Sequence, residues 1–212
     1  PTGLAIRSGK PAGFIAGANI EEFTRIDSAE AARTLVNRGW ALFNRLAAVT
    51  YPTLALIRGH CMGGGLELAL ACRYRLTVDE PGTRLSLPEV MLGIYPAWGG
   101  MLRLPRLIGM GHAMDLILTG RKVEAPEALQ MGLCNRVVPR GQALTVAIAL
   151  AEQLASFPQR TMLADRASAY AQWDMDMPQA LRQEWTRGKA CIADGLEGAG
   201  RFAAGAGRHG KY

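Results

Sequence analysis

The chain has 212 residues, 49% of them apolar, which is enough for one sizeable core and too little for two large domains. Its formal net charge of +6 comes from scattered single Arg and Lys residues, which favours an anionic ligand or simple solubility over a nucleic-acid partner. No apolar run approaches membrane-spanning length and no signal peptide is visible, so we expect a cytoplasmic protein without a membrane partner.

The chain opens on a predicted strand, which a glycine-punctuated loop follows. Residues 3–8 read as a core strand, yet the sequence begins without Met, so we expect that an upstream segment was removed. The loop at residues 10–23, KPAGFIAGANIEEF, has small residues around its glycines and can present bare backbone N–H groups. Asn19 in this loop is predicted to cap a short helix.

A long helix is predicted after Ser28. The Ser28 hydroxyl is expected to cap this helix together with a capping-box glutamate near residue 30, and Tyr51-Pro52 ends the helical pattern. Four apolar residues recur at helical spacing and are predicted to face a core: Leu35, Leu42, Phe43 and Leu46.

The central stretch, residues 53–109, combines two turns with two carboxylates. An apolar strand, Leu54–Ile57, precedes a triple glycine at 63–65, and the helix predicted after it carries Glu67 in its first turn. A second strand, RYRLTVD, and a second turn lead to Glu89, again among apolar neighbours. One glutamate alone is equally well explained as a carboxylate favoured at a helix N-terminus. Two glutamates behind turns that let the backbone approach a ligand favour general acid–base chemistry.

The second half of the chain is predicted to be mostly helical. Short helices are predicted at 111–119 and 125–131, a strand at 134–138, a helix at 142–156, and helices from 159 to 202 with breaks at Pro178 and Gly195. Strands alternate with helices early and helices dominate late. We therefore predict a strand-and-turn core over residues 1–157 and a helical segment over 158–212 that folds back or reaches a neighbouring subunit.

Other classes of site have little support in the sequence. The cysteines Cys61, Cys72, Cys134 and Cys191 lack CxxC spacing and are expected to be reduced thiols in the core. The three histidines have no metal-ligand spacing, so no metal site is expected. A phosphate-binding loop, a serine-hydrolase elbow and a dinucleotide fingerprint each lack required residues or a preceding strand.

Three motifs in order carry a family resemblance: FIAGANIEEF, IRGHCMGGGLELALACRYRL and LPEVMLGIYPAWGGMLRLPRLIG. With the segments after them, they make the chain resemble the enoyl-CoA hydratase/isomerase (crotonase) family over nearly its whole length. The resemblance implies an α/β fold, the ClpP-like crotonase spiral of ββα units, here over residues 1–157 without its first strands. It also implies that residues 158–212 form a helical trimerisation segment, giving a homotrimer or hexamer.

The resemblance further implies an acyl-CoA substrate, with coenzyme A as part of the substrate and no separate cofactor. The oxyanion-hole donors map onto the backbone N–H groups of Ile15 and Gly64. The positions that would contact the substrate are Ala16, Ala18, Ile20, Met62, Gly63, Pro88 and Ala97. The CoA phosphates are expected on basic groups, and the candidates include Lys10 and Lys211.

The implied reaction is addition of water across the C2=C3 double bond of a trans-2-enoyl-CoA. Glu67 would activate the water as the base and Glu89 would deliver the proton to C2. Two alternatives stay open: another crotonase-type reaction such as double-bond isomerisation, and a non-catalytic, RNA-binding protein of this fold. The presence of both carboxylates favours hydration. The hydratase part of a larger multifunctional protein is disfavoured, because the tail ends as stand-alone members of the family do.

Four positions bear on which acyl group would fit. Asn19 stands where the family usually has Asp, Ala97 where many hydratases have Gly, and Met101 where Thr is common. None of these changes removes a catalytic group. Together with Trp98, they leave the acyl specificity open.

Overall fold

The structure, a computed structural model, describes residues 3–207 of the chain. The chain divides into two compact units, Pro1–Ala151 and Glu152–Tyr212. This division falls inside a helix, Ala143–Ser156, whereas the sequence predicts a boundary after residue 157. That predicted boundary between domains stays a prediction.

Two parallel sheets organise the described part of the first unit. Its strands are β1 (Leu4–Ile6), β2 (Thr53–Ile57), β3 (His60–Met62), β4 (Tyr74–Asp79), β5 (Arg84–Ser86) and β6 (Arg136–Pro139). The larger sheet has the order β1-β2-β4-β6, and β3 pairs with β5 in the smaller one. All of the pairings between these strands are parallel. Parallel strands need crossover segments, and in this unit the connections include helices, as expected for an α/β fold.

The loop at residues 10–19 joins the smaller sheet through a bridge at Ile15. Ile15 pairs with Cys61 of β3 in the parallel sense. Its N–H donates to the His60 carbonyl at 2.9 Å, and its carbonyl accepts from the Met62 N–H at 2.9 Å. This pairing fixes the loop beside the end of β3, where the triple-glycine turn begins.

The helices of the first unit confirm most of the predicted elements. They are α1 (Ile20–Phe23), α2 (Ala29–Ala48), α3 (Gly64–Ala71), α4 (Gly100–Thr119), α5 (Ala125–Gln130) and α6 (Ala143–Ser156). Asn19 caps α1 and Ser28 caps α2, as predicted. The Ser28 oxygen accepts from the Ala31 N–H, so Glu30 stands one position too early to complete a capping box.

Two of the predictions for helices in this unit are wrong in detail. The predicted face of α2 includes Leu42, which is 56% exposed, whereas Phe43 is buried. Helix α4 begins at Gly100 and not near residue 111, with non-helical dihedral angles at Gly109 inside it. Gly109 has φ of 76°, a value that a residue with a side chain rarely adopts, and the two helical parts are kinked at this glycine.

The core of the first unit lies around β2, β4 and α3. Every residue of β2 is buried, and large apolar side chains from the other elements pack around it, among them Phe14, Leu66, Leu76, Leu85, Leu104 and Leu116. Arg75 is buried too, and its guanidinium donates to the carbonyls of Leu133 and Cys72. The four cysteines are free and buried, as predicted.

The described part of the second unit is helical and contains α7 (Gln159–Ala171), α8 (Met177–Gly188) and α9 (Ile192–Ala203). Asp176 caps α8 through a capping box with Gln179, and Pro178 lies in the first turn of that helix. The predicted break at Gly195 is wrong, because α9 runs through it. Within residues 3–207, no helix is long and apolar enough to cross a membrane.

Candidate active site

The triple-glycine turn brings three parts of the chain together. Gly63 has φ of 53°, and a Cβ at this position would lie 2.8 Å from Oε1 of Glu89. A Cβ at Gly65 would lie only 2.2 Å from the Ile15 carbonyl oxygen. A side chain at either position would therefore push apart the loop at 10–19, the start of α3 and Glu89. Glycine allows all three to meet at one place.

Glu67 is held inside this junction by backbone groups. It is 2% exposed, and its Oε1 accepts hydrogen bonds from the Trp98 N–H at 2.8 Å and the Gly100 N–H at 2.9 Å. Burial raises the pKa of Glu67, while the N–H groups of Gly100 and Trp98 and the Arg103 guanidinium oppose that rise. The carboxylate is thus fixed in one orientation, with its ionised form supported by two donors.

Glu89 begins a short 3-10 helix, Glu89–Leu92, directly after Pro88. Its Oε2 is buried and makes no hydrogen bond to any other described residue. Burial raises the pKa of Glu89 to about 7, and the negative charge of Glu67 raises it as well, whereas the Glu89 backbone N–H lowers it. A carboxyl group with a pKa near neutrality can both hold and release a proton at physiological pH.

Both carboxylates line one cavity of about 380 Å³. Backbone and small side chains of the 10–19 loop form one side of this cavity, and residues 88–98 form another. Most of the remaining wall is apolar and comes from α1, α2 and the segment between them: Ile20, Phe23, Ile26, Ala32, Leu35 and Val36. An apolar cavity with a few convergent polar groups is typical of a small-molecule site.

The predicted oxyanion donor at Ile15 does not agree with the structure. Its N–H already donates to the His60 carbonyl, and Ile15 does not line the cavity. Ala18 lies in the same loop and does line it, and its nitrogen is 3.7 Å from where a Cβ of Gly64 would be. Neither the Ala18 nor the Gly64 N–H has a hydrogen-bond acceptor among the described residues. The geometry therefore favours Ala18 over Ile15 as the partner of Gly64.

Most of the predicted contact residues line the cavity, namely Ala16, Ala18, Ile20, Gly63, Pro88 and Ala97, and so does the predicted oxyanion donor Gly64. Met62 is not part of the lining; it belongs to β3, and its N–H donates to the Ile15 carbonyl. Lys10 is exposed and lies outside this cavity, and Lys211 falls outside the described residues.

Sequence reasoning missed the wall that α2 contributes. Leu35 was predicted to face a core, and it faces the cavity, together with Val36 one residue on. The signal present in the sequence is the apolar spacing of α2, which cannot tell a core from a ligand cavity. Tyr95 and Leu92 also line the cavity although both are mostly exposed.

The two parallel sheets and a glycine turn at the start of a buried helix are those of a crotonase-fold protein, and a solved hydratase of that fold superposes on nearly the whole chain. The chain belongs to the enoyl-CoA hydratase/isomerase family, whose profile matches residues 2–203. The predicted fold class and family are thereby confirmed.

Three relatives show the range of this similarity. The fatty acid oxidation complex subunit alpha of Vibrio cholerae is 48% identical over 151 residues, which cover 71% of this chain and 21% of that protein. An enoyl-CoA hydratase from Bacillus anthracis is 32% identical with a TM-score of 0.86, covering 95% of this chain and 78% of that one. A Thermobifida fusca protein solved in complex with CoA is 27% identical with a TM-score of 0.81, covering 92% and 77%.

The chain thus spans about a fifth of the length of the curated relatives it matches. These relatives are large proteins of the kind that the sequence analysis disfavoured. The expectation of a stand-alone protein stays a prediction.

Proposed function

We propose that this chain is an enoyl-CoA hydratase that adds water across the C2=C3 double bond of a trans-2-enoyl-CoA in the syn sense. The observation that carries the proposal is that Glu67 and Glu89 line one apolar cavity beside the N–H groups of Gly64 and Ala18, which have no acceptor within residues 3–207. Coenzyme A enters as part of the substrate, as the CoA complex of a relative supports. No further cofactor takes part in the proposed reaction.

The two N–H groups stabilise the charge that develops on the thioester oxygen. When hydroxide adds at C3, the electron pair of the double bond moves toward the carbonyl, which becomes an enolate. Gly64 is the first residue of α3, so the positive end of the helix also faces this oxygen. Loss of one such donor typically costs on the order of 3 kcal/mol of transition-state stabilisation.

The two carboxylates divide the proton transfers. The N–H groups of Trp98 and Gly100 favour the ionised form of Glu67 against the effect of its burial, so Glu67 takes the proton of the attacking water. Glu89, with a pKa of about 7, is protonated in a substantial fraction of molecules at neutral pH and gives its proton to C2. The enolate collapses to the 3-hydroxyacyl thioester, and proton exchange with solvent restores both groups.

Double-bond isomerisation is the alternative reaction that the same cavity could support, since it needs an oxyanion hole and one carboxylate. Isomerisation does not require a second carboxylate held by its own backbone donors. The buried Oε2 of Glu89, and the two hydrogen bonds that Oε1 of Glu67 accepts, therefore favour hydration.

The test is an assay of the full chain with short, medium and long trans-2-enoyl-CoAs, with products separated by chromatography. Loss of the double-bond absorbance together with formation of 3-hydroxyacyl-CoA is the expected result. Conversion of a 3-enoyl-CoA to the 2-enoyl form without any hydration would identify an isomerase instead. Absence of turnover in both assays, with the protein folded, would favour the non-catalytic alternative.

We also propose a cytoplasmic homotrimer or hexamer. The support for assembly is a stripe of apolar side chains at helical spacing on α8, where Met177, Leu181 and Trp185 are 71%, 57% and 66% exposed. Such a stripe is usually covered in the working protein.

A further inference from the structure

Trp98 fills a gap between helix α2 and the turn that starts α3. A Cβ at Gly39 of α2 would lie 2.3 Å from Cδ1 of the indole, and a Cβ at Gly64 would lie 2.7 Å from Cζ3. The ring therefore touches two glycines, one at each of its edges. Phe43, one turn after Gly39, packs edge-on against the same ring, with centroids 5.9 Å apart and planes at 85°.

These contacts hold the indole in one position. Gly39 lies in the middle of a 20-residue helix, where glycine is unfavourable compared with alanine by roughly 1 kcal/mol. The contact with the indole gives a physical reason for glycine there, because any side chain would collide with the ring. The backbone of Trp98 is fixed as well, since its N–H donates to Glu67.

The position of the ring places it at the reacting end of the cavity and not at its far end. Gly64 supplies one proposed oxyanion donor, and Glu67 supplies the proposed base, so both act on the thioester and its double bond. The indole ring contacts Gly64, and the backbone N–H of Trp98 donates to Glu67. Other parts of the wall are formed by α1, α2 and the segment between them, with residues such as Phe23, Ile26 and Leu35.

We propose that Trp98 is a specificity-determining residue that selects enoyl thioesters without a branch at the double bond. This inference rests on the proposed function. A methyl group on C2 or C3 would have to occupy space beside Gly64 that the indole fills. A straight chain would avoid the ring and extend along the apolar wall. The substrate class is therefore straight-chain 2-enoyl thioesters, and methyl-branched ones are rejected.

The first test compares two thioesters that differ by one methyl group, trans-2-butenoyl-CoA and trans-2-methyl-2-butenoyl-CoA. The measured quantity is kcat/KM for the straight thioester divided by kcat/KM for the branched one, in the wild type and in Trp98→Ala. The substitution keeps the backbone N–H that binds Glu67, so the base stays in place. We expect the ratio to fall by roughly 10-fold or more, the usual discrimination for one methyl-sized group. An unchanged ratio would overturn the proposal.

A variant at a lining residue outside α2 separates selection at the double bond from a general change in the cavity. Ile26→Ala enlarges the cavity at a residue that belongs neither to α2, against which the indole packs, nor to the turn at Gly64. It should alter the preference for chain length while leaving the straight-to-branched ratio near that of the wild type. A shift in that ratio as large as the one in Trp98→Ala would assign selection to the cavity as a whole and overturn the role of Trp98.

The contact with Gly39 provides a second, independent test. Gly39→Ala should push the indole toward Gly64 and lower kcat/KM for the straight substrate by roughly 10-fold or more, because small displacements at a reacting centre are costly. In the Trp98→Ala background the same change should have almost no effect, since the ring is gone. Equal losses in both backgrounds would contradict the proposal. Far-UV circular dichroism and thermal unfolding check that each variant is folded.

Binding measurements distinguish failure of this inference from failure of the proposed function. Calorimetry with butanoyl-CoA and 2-methylbutanoyl-CoA needs no turnover. If the wild type does not hydrate either enoyl thioester, the proposed function fails, yet a preference for the straight analogue that Trp98→Ala removes would still support the role of the indole. Equal affinities for both analogues in wild type and variant, with hydration intact, would overturn the inference alone.

Discussion

The raised pKa of Glu89 makes a prediction about stability as well as about catalysis. The pKa is about 7 in the folded chain against 4.5 for an ordinary glutamate, so the folded state binds the proton more tightly than the unfolded state. The contribution to stability is then fully present below about pH 4.5 and is lost as the pH rises through about 7. Replacing Glu89 by Gln removes this pH dependence, because the amide stays neutral.

The magnitude follows from the difference between the two pKa values. At 1.36 kcal/mol for each pKa unit, a rise in pKa from 4.5 to about 7 is worth between about 3 and 4 kcal/mol at most. Glu89 is only partly buried, so solvent screening reduces the expected value to about 1–2 kcal/mol. Relative to the wild type, Glu89→Gln should therefore be more stable at about pH 8.5 than at about pH 5 by this amount.

The assay is urea-induced unfolding of the ligand-free protein at both pH values, with the same protein concentration throughout. Glu152→Gln serves as the control, since Glu152 is an exposed carboxylate on α6. It should change the stability difference between the two pH values by much less. A stability gap between wild type and Glu89→Gln that is equal at both pH values, or that has the opposite sign, would refute the placement of Glu89 in an apolar environment.

Three further predictions concern the site and the assembly. Glu67→Gln and Glu89→Gln should each lower kcat by roughly 10²- to 10⁴-fold with acyl-CoA binding retained. The loss in the double variant should be far smaller than the two single losses multiplied together. Near-wild-type hydration in either single variant would rule out the two-carboxylate mechanism. Gly63→Ala should reduce both kcat and stability, the latter by about 1–2 kcal/mol, because its φ is positive and a Cβ meets Glu89; wild-type values in activity and unfolding assays would show that this turn tolerates a side chain. Light scattering should give a trimer or hexamer, and Leu181→Glu should shift it to smaller species; a wild-type monomer at micromolar concentration would contradict the proposed assembly.

The order and type of the elements in the first unit could be read from the sequence because each has a clear local cause. The apolar run of β2, the side-chain caps at Asn19 and Ser28, and the glycine turn before α3 all depend on neighbours within a few residues. The same holds for the two glutamates, since each stands directly after a turn in an apolar segment. Local chemistry was sufficient for these features.

The misassigned oxyanion donor has a non-local cause. All of the N–H groups in the 10–19 loop look alike in sequence, and the bridge between Ile15 and Cys61 decides which one is already used. That bridge joins residues 46 positions apart, as their numbers show. Gly39 and Trp98 are also far apart along the chain, so the sequence shows a glycine inside a helix without showing the indole that excludes a side chain there. Features of this kind require the folded arrangement.

Product analysis in deuterated water shows whether Glu67 and Glu89 together add water across an enoyl thioester. The full chain is incubated with trans-2-butenoyl-CoA, and the product is examined by mass spectrometry and NMR. We expect 3-hydroxybutanoyl-CoA with one deuterium at C2 from the first turnover, and loss of this product in Glu67→Gln and Glu89→Gln. Hydrogen exchange or migration of the double bond without formation of a hydroxyl group at C3 would contradict hydration. Undiminished hydration in both variants would contradict the role of the two carboxylates.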